Sequence, residues 1–510
     1  MLNFCPGLRG HGLALIAGAV LPLSLAPFDL WPLALLGLAL FARLLQGLNS
    51  RDALARAFYF GLGYYGSGAS WVFVSIHEFG NTALPLAVVM TALFVAAMAL
   101  IFCLPWALIS KIPSGERRIM VNSLGFAGLW MLGEWLRSWL FTGFPWLYVG
   151  YGHLQTPLAG WSPVVGVFGL GLIIAYSAAY LSNLGMAFRS KQAKPPLLTG
   201  ALIVIALWGA GQGLRSQVWT APKSSPISVG MVQPNIPQNL KWAPHFREPT
   251  LDRLRSLSES LWQKDWVIWP EAAVPMLYHE ATDFLKEMDQ RAQQEQSTLI
   301  TGILYDDHQQ RKYFNSVLGL GTGMGLYHKQ RLVPFGEYVP MESFLRGLIA
   351  FFDLPQSVIH AGPREQLGLL AGDIRIAPSI CYEVVYPGLV SEAAAQADVL
   401  LTISNDAWFG GSIGPLQHMQ MAQMRALETG RYMIRSTNNG VSGIIDHQGN
   451  ILAKSEQFTL QTLSGEVVPM SGLTPFLRWG SAPSLLLGAL FVIVGLWRQR
   501  RETPGNRQAA

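Results

Sequence analysis

Two different patterns of apolar residues divide this chain. Up to about residue 215, and again after residue 476, apolar side chains come in long runs broken by short polar stretches. The runs cover roughly residues 10–27, 30–47, 56–77, 82–108, 119–140, 160–187, 196–214 and 477–497. A helix needs about 20 such residues to cross the hydrocarbon core of a bilayer, so the pattern predicts about eight transmembrane helices. Gly61, Gly63, Gly66 and Pro105 fall inside the runs, as helices in lipid allow. Trp31, Trp71, Trp106, Trp135 and Trp146 sit near their ends, where aromatic rings prefer the membrane interface. From residue 226 the period changes. Short apolar runs at 227–232, 267–269, 299–304, 316–320, 374–380 and 399–404 read as buried strands. Leu251, Leu254, Leu257 and Leu261 fall on one stripe of a helix over 250–262, and 281–293 and 415–429 read as further helices. A hairpin of 432–437 with 441–446 makes the sheet mixed. Strands interleaved with helices predict an α/β layered domain. The expected organisation is a multi-pass α-helical membrane domain over 1–215, one globular domain over 216–476, and an eighth helix with a tail over 477–510.

Composition sharpens this division. The 510 residues are 51% hydrophobic and only 13% charged, about half the charged fraction of a soluble domain. Only Asp29, Asp52, Glu78, Glu116 and Glu134 are acidic before residue 216; the other 26 of 31 acidic residues follow. The net charge of +5 does not gather into a patch that would bind nucleic acid. Its basic residues fall between apolar runs: Arg43, Arg51 and Arg56; Lys111, Arg117 and Arg118; Arg189, Lys191 and Lys194; Arg498, Arg500 and Arg501. Positive charge marks cytoplasmic loops, so both termini are expected in the cytoplasm and 216–476 outside it, which in a bacterium means the periplasm. The run from Gly12 to Ala26 has the look of a signal peptide. Pro27 follows its one plausible cleavage site, however, and it is read as an uncleaved first helix.

The chain has three cysteines, Cys5, Cys103 and Cys381, too few and too scattered for a zinc set or a disulfide framework. No metal or cofactor is expected. Cys381 alone lies in the globular part, and an unpaired thiol in an oxidising compartment needs a reason. Three short segments put a reactive side chain at or just after an apolar run: Trp269-Pro270-Glu271, Tyr327-His328-Lys329-Gln330, and Ser379-Ile380-Cys381-Tyr382-Glu383. A thiolate is the attacking form of cysteine and a nearby ammonium favours it. Glu271 can serve as general base and acid. Lys329, with the backbone N–H that follows Cys381, can stabilise a tetrahedral oxyanion.

Glu271, Lys329 and Cys381 in this order resemble the signature of the nitrilase, or carbon–nitrogen hydrolase, superfamily. Leu332-Val333-Pro334-Phe335-Gly336-Glu337, Cys381-Tyr382-Glu383, Ser404-Asn405-Asp406-Ala407-Trp408-Phe409-Gly410 and Gln233-Pro234-Asn235-Ile236-Pro237-Gln238 leading to Lys241-Trp242 narrow the resemblance to its membrane-bound branch, the bacterial apolipoprotein N-acyltransferases. The resemblance implies eight spans and a periplasmic α-β-β-α sandwich in the inner membrane. It implies a phospholipid acyl donor, a thioester on Cys381, and transfer to the α-amino group of the diacylglyceryl-cysteine that begins an apolipoprotein. Glu337 and Glu383 are expected to hold Lys329, with Tyr382 and Asn405 lining the site. Trp242, Trp408, Phe351 and Phe352 are expected as substrate or lid residues, the last two in an apolar segment that dips into lipid. A monomer is the default. The competing reading is a membrane-anchored amidase or nitrile hydrolase that uses the same three residues with water as acceptor; a single anchor would serve that purpose, so eight spans argue against it.

Overall fold

The computed structural model describes residues 7–115, 118–186, 194–338 and 359–501; Phe351 and Phe352 lie outside them. The described residues form two compact units. One draws on the described residues within 1–70, 88–217 and 479–510, the other on those within 71–87 and 218–478.

Helices Gly7–Val20, Pro32–Leu45, Ser50–Gly68, Leu84–Cys103, Ile119–Arg137, Ser162–Leu181, Lys194–Leu214 and Ala482–Arg501 fall on the apolar runs of the sequence. Among the described residues, three helical stretches are long and apolar enough to cross a membrane, Leu84–Lys111, Pro157–Leu181 and Lys194–Leu214, and Pro32–Leu45 and Ala482–Arg498 are shorter apolar ones. Leu198, Leu202 and Ile205 are exposed along one helix, as are Leu486, Leu490 and Ile493 along another, the reverse of a water-facing surface. Helix–helix contact in lipid depends on small residues that let backbones meet. A Cβ on Gly18 would lie 2.0 Å from the Phe60 carbonyl oxygen, and one on Gly63 2.0 Å from that of Leu15, so Gly7–Val20 and Ser50–Gly68 touch main chain to main chain. An aromatic cluster of Phe41, Phe60, Phe102, Trp106, Phe126 and Trp130 fills the interior beside them. Two buried charges in this unit hold one turn. Glu134 accepts the Val149 N–H at 3.0 Å. Arg137 donates to the Trp146 carbonyl and places its guanidinium over Tyr65 and Tyr148. Arg137 thereby clamps the segment that ends at Trp146, and Glu134 holds the chain just beyond it.

The second unit is built on two sheets. One is β2 (Ile227–Gln233), β3 (Trp266–Ile268), β4 (Thr298–Asp307), β5 (Lys312–Gly321), β7 (Leu326–His328) and β14 (Gln461–Val467), in the order β14-β2-β3-β4-β5-β7. The other is β6 (Gly323–Met324), β8 (Leu369–Ala371), β9 (Ile374–Ile380), β10 (Val399–Ser404), β11 (Met433–Thr437), β12 (Gly443–Ile445) and β13 (Ile451–Lys454), in the order β13-β12-β11-β10-β9-β8-β6. A small pair, β1 (Ala221–Pro222) with β15 (Met470–Ser471), closes the base. The central pairs β2–β3, β3–β4, β9–β10 and β10–β11 are parallel, which accounts for strands that read as unbroken apolar runs.

Side chains alternate between the faces of each strand. Val229, Met231, Trp266, Ile268 and Ile300 meet Ile376, Ile380, Leu401, Ile403 and Ile434 between the sheets. Val232, Val267 and Leu299 face the opposite way, against Leu251, Leu254, Phe284, Leu285 and Met288 of helices Arg247–Ser258 and Thr282–Gln294. Helices Pro387–Ala394 and Gly414–Thr429 cover the outer face of the second sheet. The result is an α-β-β-α sandwich.

Three of these strands end in reactive residues. Glu271 follows β3 in a turn laid directly on β4. A Cβ at Gly302 would lie 2.5 Å from the Ala272 nitrogen and 2.6 Å from the Pro270 carbonyl oxygen, so only glycine admits the turn there. Gly302→Ala should cost about 1–3 kcal/mol through overpacking against main chain. Thermal unfolding should register this as a lower midpoint; a variant with the parent's midpoint would contradict the close approach.

Candidate active site

Cys381 comes directly after β9 and starts a short 3-10 turn. Its φ is +52°, in the left-handed region that costs a non-glycine residue on the order of 1–3 kcal/mol. The sharp reversal turns the thiol away from the strand axis. Burial first, and the charge of Glu271 next, push that thiol up to about 12 against the opposing pull of Lys329. At rest the sulfur therefore keeps its proton, and attack needs a base to take it.

The Glu271 carboxylate, whose charge acts on that thiol, is held on both oxygens. One carboxylate oxygen accepts the Asn405 backbone N–H at 2.7 Å, and the other accepts the Asn315 side-chain amide at 2.7 Å and faces the Lys329 ammonium at 3.5 Å. Lys329, 1% exposed, follows β7 and is tied to β5 by its own N–H, which donates to the Asn315 carbonyl at 2.8 Å. An ammonium so buried persists only with partners. Glu337 supplies the nearer one at 2.9 Å. Burial alone would lower the lysine, but the charges of Glu337 and Glu271 outweigh it and hold Lys329 above its ordinary range. Glu337 is fixed in turn by the Val333 N–H at 2.8 Å and the Asn315 amide at 3.0 Å.

Glu383 does not reach the Lys329 ammonium, contrary to the expectation from sequence. It is fully buried and accepts the Gln330 and Arg331 amides at 2.6 and 3.1 Å, the Tyr327 hydroxyl at 3.0 Å and the Ile380 amide at 2.7 Å. It thus ties the backbone after Lys329 to the backbone before Cys381, and burial pushes its carboxyl up to about 7 against those amide bonds. Tyr382 is buried with its ring edge-on to Tyr386. Asn405 contributes its backbone to Glu271, while its side chain bonds Gln238 at 2.6 Å and Asn438 at 3.1 Å. Trp242 is half-buried in the turn after Pro237. Trp408 is half-buried too; its carbonyl accepts the Ser75 hydroxyl at 2.7 Å, and its ring meets Phe79.

Several contributors carry no sequence signal of their own. Lys241 is buried and donates to the Glu271 carbonyl at 3.0 Å; burial brings its ammonium down to about 8 against the attraction of Glu271. Its place beside Trp242 in a motif was the one available hint. Asn315, in mid-strand, bridges both glutamates. Asp406, His418 and Arg435 form a buried cluster behind Cys381. Among the described residues, metal-ligand character is confined to His279, Asp306 and His308, whose ligand atoms lie within 4.8 Å of one another. Asp306 and His308 lie at the end of β4 and in the turn after it, away from the Glu271 and Lys329 contacts.

The arrangement suits acyl transfer through sulfur: a protonated thiol on a strained turn, a carboxylate to deprotonate it, and a buried cation nearby. The sequence has matching relatives. Residues 17–180 match the apolipoprotein N-acyltransferase N-terminal domain, and residues 228–473 match the carbon-nitrogen hydrolase family. The chain is 48% identical over 98% of its length to apolipoprotein N-acyltransferase of Azotobacter vinelandii, covering 96% of that protein. It is 48% identical to that of Pseudomonas aeruginosa, with 97% of each covered. With the Coxiella burnetii protein of the same name it shares 39% identity, over 94% of this chain and 99% of the relative. Two matched family domains and near-complete coverage of these relatives at 39–48% identity lead to one assignment: the chain belongs to the apolipoprotein N-acyltransferase family.

Proposed function

We propose that this enzyme moves a fatty acyl chain from a phospholipid to the α-amino group of the diacylglyceryl-cysteine at an apolipoprotein's N-terminus, with Cys381 carrying the chain as a thioester. The observation that supports this most is the Glu271 carboxylate, held on both oxygens and facing a buried Lys329 ammonium. Glu271 takes the thiol proton as sulfur attacks the ester carbonyl. The oxyanion that forms is met by Lys329 and by the Tyr382 N–H. Collapse breaks the ester C–O bond, and Glu271 returns the proton to the departing lysophospholipid oxygen. The acceptor amine then attacks the thioester as Glu271 takes one of its protons, a second oxyanion forms in the same place, and collapse breaks the C–S bond while Glu271 passes that proton to the sulfur, which leaves as the thiol. Two easier acyl transfers replace one difficult transfer.

The eight apolar runs act as spans in this reading. Basic residues in the second, fourth and sixth connections and after the last run orient both termini to the cytoplasm. The catalytic domain, tethered at both ends, then works on the periplasmic side of the inner membrane, where both lipid substrates are within reach. Exclusion of water matters because hydrolysis of the thioester would waste the donor.

Intact mass after incubation with phospholipid vesicles should show an adduct of one fatty acyl chain, absent in Cys381→Ala. Lys329→Met should slow its appearance by about 10²–10³, the usual loss for one oxyanion donor. A parent enzyme that hydrolyses small amides but never acquires the chain would instead favour an amidase. The raised thiol pKa has its own consequence. Raising it leaves less thiolate at any given pH, so labelling of Cys381 by iodoacetamide without donor should keep climbing toward pH 12. A free thiol levels off soon after about 8.5. A plateau at neutral pH would mean a preformed thiolate and remove the need for Glu271 as base.

A further inference from the structure

Three fully buried polar groups lie behind the nucleophile and take no part in the proton transfers above. Asp406 follows β10, Arg435 lies on β11, and His418 lies on helix Gly414–Thr429; each is no more than 1% exposed. One oxygen of Asp406 accepts an Arg435 N–H at 2.6 Å, and the other accepts the Ser404 hydroxyl at 2.7 Å. His418 Nδ1 stands 3.0 Å from Arg435 and 3.2 Å from Asp406, and its Nε2 stands 3.1 Å from the carbonyl oxygen of Cys381.

The carbonyl partner fixes one proton. A carbonyl oxygen only accepts, so Nε2 must carry a hydrogen. Nδ1 lies between an Arg435 N–H and an Asp406 carboxylate oxygen; burial and the arginine hold His418 below its ordinary pKa against the pull of Asp406. Whichever of these two Nδ1 engages, Nε2 donates to the Cys381 carbonyl.

The geometry points to a positioning role: Asp406 and Arg435 hold His418 so that its Nε2–H anchors the Cys381 carbonyl and thereby aims the Tyr382 N–H at the oxyanion. The link is the peptide bond itself. The Cys381 carbonyl and the Tyr382 N–H belong to one planar trans unit and point in opposite directions, so fixing one fixes the other. Cys381 has left-handed backbone geometry at φ +52°, where an unanchored peptide has reason to rotate away. Gly440 fits the same scheme, since a Cβ there would fall 2.3 Å from an Asp406 carboxylate oxygen. The inference rests on Cys381 being the nucleophile.

Two variants separate the anchor from simple packing. The amide nitrogen of Gln reaches about as far as Nε2, whereas that of Asn reaches only about as far as Nδ1. Acyl-adduct formation from phospholipid and alkylation by iodoacetamide are compared for each, since alkylation builds no oxyanion. In His418→Asn, adduct formation should fall by about 10² with the half-saturating donor concentration unchanged, while alkylation keeps the parent rate. His418→Gln, which keeps the donor and most of the buried volume, should recover most of the adduct rate. Adduct formation at the parent rate in His418→Asn overturns the anchor. So does a parallel fall of both rates in both variants, which would mean loss of packing alone. A parent enzyme that forms no adduct removes Cys381 as nucleophile and the anchor with it, an outcome distinct from an adduct that forms regardless of residue 418.

Discussion

The site depends on one electrostatic constraint: a lysine ammonium with almost no exposure must be neutralised where it stands. Lys329 cannot be left alone at that depth, because an uncompensated buried charge costs several kcal/mol. Glu337 at 2.9 Å answers most of that demand and leaves Glu271, at 3.5 Å, close enough to feel the cation. Asn315 binds both carboxylates and keeps them apart. The division matters chemically. A glutamate locked in a tight pair with lysine would be a poor proton acceptor. One held by amides beside the ion pair keeps its position and leaves the closer contact with the cation to Glu337.

The same economy governs the backbone around Cys381. Glu383 and His418 grip the chain around Cys381, one through the Ile380 amide and one through the Cys381 carbonyl. A left-handed residue at a strand end holds only when its surroundings over-determine it. Here a carboxylate, an imidazole and an arginine–aspartate pair, all buried, do so. Polar groups this deep are costly unless fully partnered, and their partners are the functional backbone itself.

Much of the framework was legible because it depends on local periodicity. The parallel strands carry unbroken apolar runs, and Glu271 and Cys381 follow soon after β3 and β9. Through-space relations were not legible. Nothing in a lone asparagine within β5 says that it bridges two glutamates. Asp406, His418 and Arg435 come from three elements brought together only by strand order. Glu383 was expected at Lys329 because it sits in a motif segment, as Glu337 does, but its carboxylate is taken up by the backbone amides of Gln330, Arg331 and Ile380. Hydropathy also overran at the third apolar run. The helix ends at Gly68, and Trp71 and Ser75 pack instead on Phe409 and Trp408. Aromatic residues read alike whether they face lipid or protein.

Family membership establishes an acyltransferase, and the geometry around Glu271, Lys329 and Cys381 supports a route through sulfur. A single-turnover chase tests that route most directly. Enzyme loaded with an isotope-labelled acyl chain is freed of phospholipid and mixed with a peptide beginning in diacylglyceryl-cysteine. If Cys381 holds the transferable chain, the label leaves the protein and appears as an amide on the peptide's α-amino group with no donor present. Release only as free fatty acid, or transfer that requires phospholipid to be restored, would contradict the account.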